Sequence, residues 1–209
     1  MTNPDFTAIK VVVDRSGSMT YICDDAMGAL SEFIKEQATV PGAATIALSQ
    51  FDETYEDVYT SVDIKEAPQY VLRPRGATAL NDAIGKSIYD FGIELESMPE
   101  HKRPGNVIVV IITDGQENAS HEYSTAAVKA LVETQKNKYN WNFLFLAANQ
   151  DAVLTGATYG FGVNQSVTFN TNPDSLIGTS ALINSYVTTT RSGLVYQISD
   201  EDRAGTAQK

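Results

Sequence analysis

Apolar and polar positions along the chain follow two periods, which divide it into strands and helices. Residues 8–13 and 107–112 are apolar at nearly every position, and such runs predict strands buried on both faces of a parallel sheet. Other segments repeat apolar residues every three or four positions. The segment with Leu80, Ile84 and Ile88 has this spacing most clearly and predicts a helix.

The predicted elements alternate between strand and helix with one exception. Strands are predicted at residues 8–13, 45–51, 55–64, 106–113, 141–148 and 165–169, and helices at about residues 22–34, 80–95, 124–136, 151–159 and 172–190. The second and third strands are separated by a short turn, which predicts a hairpin and an antiparallel edge strand. The pattern therefore predicts an α/β fold: a mostly parallel sheet of about six strands, with helices on both faces.

Length and composition are those of one globular unit. The 209 residues include 43% apolar and 20% charged side chains, which suit a single large domain with a substantial core. We expect residues 1–197 to form this domain. Residues 198–209 are polar and lack a periodic pattern, and they predict a flexible C-terminal tail.

Charge and hydropathy narrow the classes of partner. The formal net charge of −11 would repel a phosphate backbone, so a nucleic-acid partner is not expected. The first ten residues lack the basic and apolar regions of a signal peptide, and no run approaches the roughly 18 apolar residues that a membrane helix needs. A cytoplasmic protein without membrane contact is expected. The single cysteine, Cys23, excludes an intrachain disulfide.

Oxygen-bearing side chains collect where predicted strands end. Asp14, Ser16 and Ser18 follow the first strand, Asp114 follows the strand at 106–113, and Thr78 lies in the loop before the next predicted helix. Ligands of open α/β sheets bind beyond the carboxyl ends of strands, so these side chains are expected to converge. Two carboxylates and three hydroxyls, without His or Cys, suit Mg²⁺, Mn²⁺ or Ca²⁺ better than Zn²⁺.

The same residues carry a resemblance to a known family. The segment from Asp14 to Met19, Asp-Arg-Ser-Gly-Ser-Met, resembles the Asp-x-Ser-x-Ser motif of von Willebrand factor A (vWA) domains. Thr78 and the Thr-Asp-Gly sequence at 113–115 match the second and third parts of the family's metal-ion-dependent adhesion site (MIDAS), in the same chain order. The element order matches from about Phe6 to Thr190. The resemblance implies a doubly wound, Rossmann-like vWA fold.

The resemblance also implies a role for each residue. Ser16 and Ser18 would bind the metal directly, Thr78 would do so in a ligand-competent state, and Asp14 and Asp114 would act mainly through bound waters. The implied protein is a stand-alone cytosolic domain of a bacterial or phage type. It would be a non-enzymatic binding module that captures a Glu or Asp of a protein partner through Mg²⁺. The oligomeric state stays open.

Several alternatives compete with this interpretation. A haloacid dehalogenase-like phosphatase also places an Asp after its first strand, but it needs a second Asp two positions on, where this chain has Ser16. A scaffold with a vestigial metal site is a further possibility. Singly, Ser18 or Thr20 would suit the cap of the first helix and Thr78 the cap of the next, and Asp114 an ordinary turn. Arg15 would help or hinder an approaching acidic group.

Overall fold

The computed structural model describes residues 1–148 and 150–207, and the strands found there form one six-stranded sheet. In chain order the strands are β1 (Asn3–Asp14), β2 (Ala43–Phe51), β3 (Tyr55–Asp63), β4 (Pro104–Thr113), β5 (Asn142–Ala148) and β6 (Ser166–Phe169). Across the sheet they lie in the order β3-β2-β1-β4-β5-β6. All neighbours are parallel except β2 and β3. The predicted parallel sheet with one antiparallel edge strand is confirmed.

Helices cover both faces of this sheet. They are α1 (Cys23–Thr39), α2 (Leu80–Ser97), α3 (Thr125–Tyr139), α4 (Ala152–Thr158), α5 (Pro173–Arg191) and α6 (Asp200–Thr206). One apolar cluster packs α1 and α5 against the sheet, through residues such as Phe33 and Val187. A second cluster packs α2 and α3 against the other face, through residues such as Ile84 and Val132. The predicted doubly wound architecture is therefore confirmed.

The chain reverses its direction of winding at the centre of the sheet. From β1 it continues to β2 and β3 on one side, whereas β4, β5 and β6 lie on the other side of β1. The carboxyl ends of β1 and β4 consequently lie next to each other, at the topological switch point where open α/β sheets bind ligands. This is where the sequence places Asp14 and Asp114.

Strand β1 is longer than its apolar run predicts. Residues 3–7 are mixed in polarity, but Phe6 pairs with Ala43 of β2 and Asn3 pairs with Pro104 of β4. Strands on both sides satisfy these backbone groups, so pairing rather than apolar pattern extends the strand. None of the helices in the described part of the chain is long and apolar enough to cross a membrane.

The structure places a helix within residues 198–207, where the sequence predicted a flexible tail. Helix α6 covers the outer edge of β6: the Thr206 hydroxyl donates to the Thr168 carbonyl at 2.9 Å, and the Asn170 amide donates to the Thr206 carbonyl at 3.0 Å. Arg203 donates to the Ser166 carbonyl at 3.1 Å. An edge strand leaves some backbone groups without hydrogen-bond partners. Here the polar C-terminal segment supplies those partners. Residues 208 and 209 of the expected tail lie outside the described residues.

Candidate metal centre

The two strand ends at the switch point are joined directly by side chains. Val13 of β1 pairs with Ile112 of β4, so Asp14 and Thr113 follow side by side. The Thr113 hydroxyl donates to Asp14 Oδ2 at 2.6 Å. The carboxylate of Asp14 is completely buried at this junction of the two strand ends.

The loop after β1 folds back on Asp14 and reaches the loop after β4. Asp14 Oδ1 accepts a hydrogen bond from the Ser16 amide at 2.7 Å, a contact that closes a tight turn. The hydroxyls of Ser16 and Ser18 are 3.0 Å apart, and Ser18 donates to Asp114 Oδ1 at 2.6 Å. These contacts connect four of the predicted site residues in one chain of hydrogen bonds.

Thr78 approaches the same point from the loop before α2. Gly115 marks its position, because a Cβ on this glycine would lie 2.7 Å from Thr78 Oγ1 and 3.5 Å from Asp14 Oδ2. Only a residue without a side chain fits between the two oxygen atoms. The structure thus brings all of the sequence-predicted site residues together. Their role as metal ligands stays a prediction.

Burial is the largest influence on the pKa of both carboxylates of this site. Burial raises the pKa of Asp14 to about 6, against the hydrogen bonds from Thr113 and Ser16, and the negative charge of Asp114 raises it further. Burial also raises the pKa of Asp114, although the hydrogen bond from Ser18 opposes this. Within residues 1–148 and 150–207, no ion pair joins either carboxylate to a basic side chain.

The Arg15 side chain pairs with carboxylates outside the predicted site. Only 6% of its surface is exposed. Its Nε donates to Asp52 Oδ2 at 2.9 Å, and its Nη1 lies 2.6 Å from Glu56 Oε2. The sequence left open whether Arg15 would help or hinder an approaching acidic group; in the structure its guanidinium is buried and pairs with these two carboxylates. Its guanidinium ties the loop after β1 to the end of β2.

Asp52 is a residue of this region that the sequence analysis missed. Besides Arg15 it binds Arg75, whose Nε donates to Asp52 Oδ2 at 2.6 Å, and its carbonyl accepts from the Ala79 amide at 2.8 Å. Arg75 in turn donates its amide to the Arg15 carbonyl at 2.8 Å. Asp52 therefore anchors the loop that carries Thr78 to the loop that carries the serines.

The capping roles considered for the hydroxyl residues are wrong. Helix α1 begins after Ile22 and helix α2 after Ala79, and neither helix has a side-chain hydrogen bond at its N-cap. Thr20 instead donates within its own turn, and Ser18 bonds to Asp114. The hydroxyls of Ser18 and Thr78 are therefore not needed to begin the helices that follow them.

The donor set fits a hard divalent cation. Among the described residues, no three His, Cys, Asp or Glu side chains form a group that could hold a metal ion, so a centre here depends on hydroxyls. Two buried carboxylates without a basic partner are expensive to keep charged, and a cation beside them would offset that cost. Oxygen ligands of this type suit Mg²⁺, Mn²⁺ and Ca²⁺.

Comparisons with known proteins found similar structures but no match by sequence. No family model and no curated protein matches it. A von Willebrand factor type A structure from Catenulispora acidiphila has 13% identity and a TM-score of 0.58, covering 88% of this chain and 43% of that one. The ArnB paralog VWA2 from Sulfolobus acidocaldarius has 14% identity and a TM-score of 0.52, with 87% and 44% covered.

A third similar structure is proximal thread matrix protein 1 from the mussel byssus, with a zinc-occupied MIDAS motif. It has 16% identity and a TM-score of 0.60, covering 87% of this chain and 46% of that one. The chain thus spans less than half the length of each of these three proteins. At such low identity the likeness shows the fold alone: a vWA-like, Rossmann-like arrangement.

Proposed function

On this vWA-like fold, we propose a metal-dependent protein-binding module that captures a Glu or Asp of a partner protein through one divalent cation. The observation that carries the proposal is the pair of buried carboxylates, Asp14 and Asp114, which lack a basic partner in the described residues and lie among three hydroxyls. Ser16, Ser18 and Thr78 would hold the cation directly, and the two carboxylates would hold it through water.

The composition of the site supports capture of an outside acid. When bound, the cation would supply a Lewis-acidic centre, because its proposed direct ligands in the protein are neutral hydroxyls and the two carboxylates act through water. Gly17 and Ser18 are exposed, so a partner can reach this side of the site. Mg²⁺ is the expected ion, with Mn²⁺ or Ca²⁺ as alternatives. Zinc belongs in the titration as well, because it occupies the MIDAS motif of the mussel protein.

The cellular location and the class of partner belong to the same proposal. We expect a cytoplasmic domain of bacterial or phage type that binds protein rather than nucleic acid or membrane. The net charge of −11 supports the exclusion of nucleic acid, since the protein's own field repels phosphate. A pull-down in Mg²⁺, compared with the same pull-down in EDTA, would isolate partners whose binding depends on the cation.

A phosphatase is the enzymatic alternative, and the surroundings of Asp14 argue against it. A nucleophilic carboxylate needs an oxygen free to attack, whereas Asp14 is completely buried and both of its oxygens accept hydrogen bonds. We expect no hydrolysis of para-nitrophenyl phosphate with or without Mg²⁺. Hydrolysis by the wild type that is lost in Asp14→Asn would show that the protein is an enzyme rather than a binding module.

Removal of two hydroxyls tests the cation site. We expect the double variant Ser16→Ala, Ser18→Ala to weaken Mg²⁺ binding by at least about 100-fold, because both side chains are proposed direct ligands. Isothermal titration calorimetry, carried to millimolar Mg²⁺, measures the dissociation constant. Thr20→Ala is the control, since it removes a hydroxyl from the same turn that bonds only to the Gly17 carbonyl in the structure. Equal Mg²⁺ affinity of the double variant and the control would show that Ser16 and Ser18 are not ligands of the cation.

A methyl group placed at Gly115 tests the geometry of the proposed site. Gly115→Ala would put a Cβ 2.7 Å from Thr78 Oγ1, so the hydroxyl has to move. We expect the dissociation constant for Mg²⁺ to rise at least about tenfold. Gly92→Ala in α2 is the control, because nothing lies within 4 Å of its added Cβ. Unchanged affinity in Gly115→Ala would place the bound cation away from Thr78.

A further inference from the structure

Both backbone groups of Thr78 bind a single residue of another loop. The Thr78 amide donates to Asn118 Oδ1 at 2.9 Å, and the Asn118 amide donates to the Thr78 carbonyl at 3.0 Å. Thr78 is only 3% exposed, so water cannot readily replace these hydrogen bonds. Asn118 follows Asp114 in the same loop. A two-point bridge therefore connects one proposed ligand to the loop of another.

The rest of that loop is bonded to the start of α2. Glu117 accepts from the Asn81 amide at 2.7 Å, and the Ser120 hydroxyl accepts from the Asp82 amide at 3.0 Å. The Asp82 carboxylate accepts in return from the amides of residues 121–123. Helix α2 has no side-chain cap of its own, and this loop supplies partners for its first amides. The loop and the N-terminus of α2 form one hydrogen-bonded unit.

Within this unit, Asn118 is the residue whose side chain reaches Thr78. The next tether along the chain is the Ala79 amide, which binds the Asp52 carbonyl at the end of β2. Without the Asn118 side chain, the Thr78 amide loses its acceptor and the loop can shift relative to Asp114. A ligand constellation has to be held within roughly 0.5 Å of its productive geometry, so a shift of this kind acts directly on the affinity for a cation.

We propose that Asn118 is a positioning residue, which holds the Thr78 hydroxyl beside Asp114 and thereby sets the affinity of the site for its divalent cation. The proposal rests on the proposed function. The bridge holds the loop that carries Thr78 to the loop that carries Asp114.

Calorimetric titration with Mg²⁺ and thermal unfolding in EDTA, measured on the same variants, test this role. Asn118→Ala removes the acceptor for the Thr78 amide and is expected to raise the dissociation constant by about 10- to 100-fold. Asn118→Asp retains an acceptor oxygen and is expected to stay within about threefold of the wild-type constant or to bind more tightly. Ser120→Ala is the matched control: it removes an acceptor from the same loop but leaves Thr78 untouched.

A purely structural role predicts a different pattern from a positioning role. If Asn118 positions Thr78, Asn118→Ala loses affinity well beyond Ser120→Ala even when both lower the melting temperature in EDTA by similar amounts. Equal dissociation constants for Asn118→Ala and the wild type overturn the proposal and leave the cation site intact. Absence of Mg²⁺ binding in the wild type overturns the proposed function and this role with it.

Loss of folding in the Ala variant would not end the test. If Asn118→Ala shows no cooperative unfolding in EDTA, Asn118→Gln takes its place. Its amide is one methylene farther from the backbone, and it is expected to show the same loss of affinity. A Gln variant that binds Mg²⁺ like the wild type would also overturn the proposal.

Discussion

Asp14→Asn is expected to make the metal-free protein more stable, by up to about 3 kcal/mol at pH 7.5, while it abolishes Mg²⁺ binding. In EDTA the buried Asp14 carboxylate is costly to ionise, since burial raises its pKa to about 6. Asn keeps an oxygen for the Ser16 amide. Thr113 can accept from the new amide group, because its hydroxyl also lies 3.1 Å from the Gly115 carbonyl and can donate there.

The size of this effect depends on pH. The protonated form of Asp14 is favoured in the folded state, so its contribution to stability is complete below its ordinary pKa of 3.8 and disappears as the pH rises through about 6. The variant has no such group. The difference in unfolding free energy between variant and wild type should therefore be small below pH 4 and should reach its full size above pH 6.

Urea denaturation in EDTA across this pH range measures the stability difference. Thermal unfolding with added Mg²⁺ measures the loss of binding, because a ligand of the folded state raises the melting temperature. Asp5→Asn serves as control: its carboxylate is exposed, so a change within about 0.5 kcal/mol is expected. A destabilised Asp14→Asn, or one that Mg²⁺ still stabilises, would contradict the assignment of Asp14 to the site.

Asp52→Asn is expected to lower the free energy of unfolding by about 3 kcal/mol at pH 7, because it leaves the buried Arg15 guanidinium without its buried charge partner. The Arg15 side chain is 7% exposed and the Asp52 side chain 4%, so water cannot replace the lost interaction readily. Burial raises the pKa of Asp52, but hydrogen bonds from Arg75 and Thr54 and the charge of Arg15 outweigh it and hold the pKa at about 2.

The same pKa predicts where this stabilisation disappears. A carboxylate with a lowered pKa contributes stability above its ordinary value of 3.8, and the contribution is lost as the pH falls toward about 2. The difference between Asp52→Asn and the wild type should therefore be largest at neutral pH and should shrink below pH 4. Urea denaturation at pH 7 and pH 3 tests both statements.

Glu56→Gln supplies the comparison for Asp52. Glu56 also pairs with Arg15, but its side chain is 54% exposed. Solvent screens an exposed partner, so we expect this variant to lose less than about 1 kcal/mol. Equal losses in the two variants would show that Arg15 does not depend on its buried partner.

The sequence predicted the architecture because its strongest signals are local. The apolar runs at 8–13 and 107–112 and the short turn between β2 and β3 each lie within a few neighbouring residues, and the structure has them as predicted. The hydroxyls and carboxylates of the site followed from the same reasoning, since strand ends of a parallel sheet meet at one edge. The structure brings together the side chains named from the sequence.

What the sequence determined by itself is therefore the set of elements, their winding around a parallel sheet, and the strand ends where chemistry collects. Only the tertiary structure decided that Arg15 faces Asp52, that Asn118 bridges to Thr78, and that Thr206 covers the edge of β6. These contacts join residues 37, 40 and 38 positions apart. No periodic pattern marks them, because a polar side chain finds such a partner only after the apolar faces have packed and brought distant loops together.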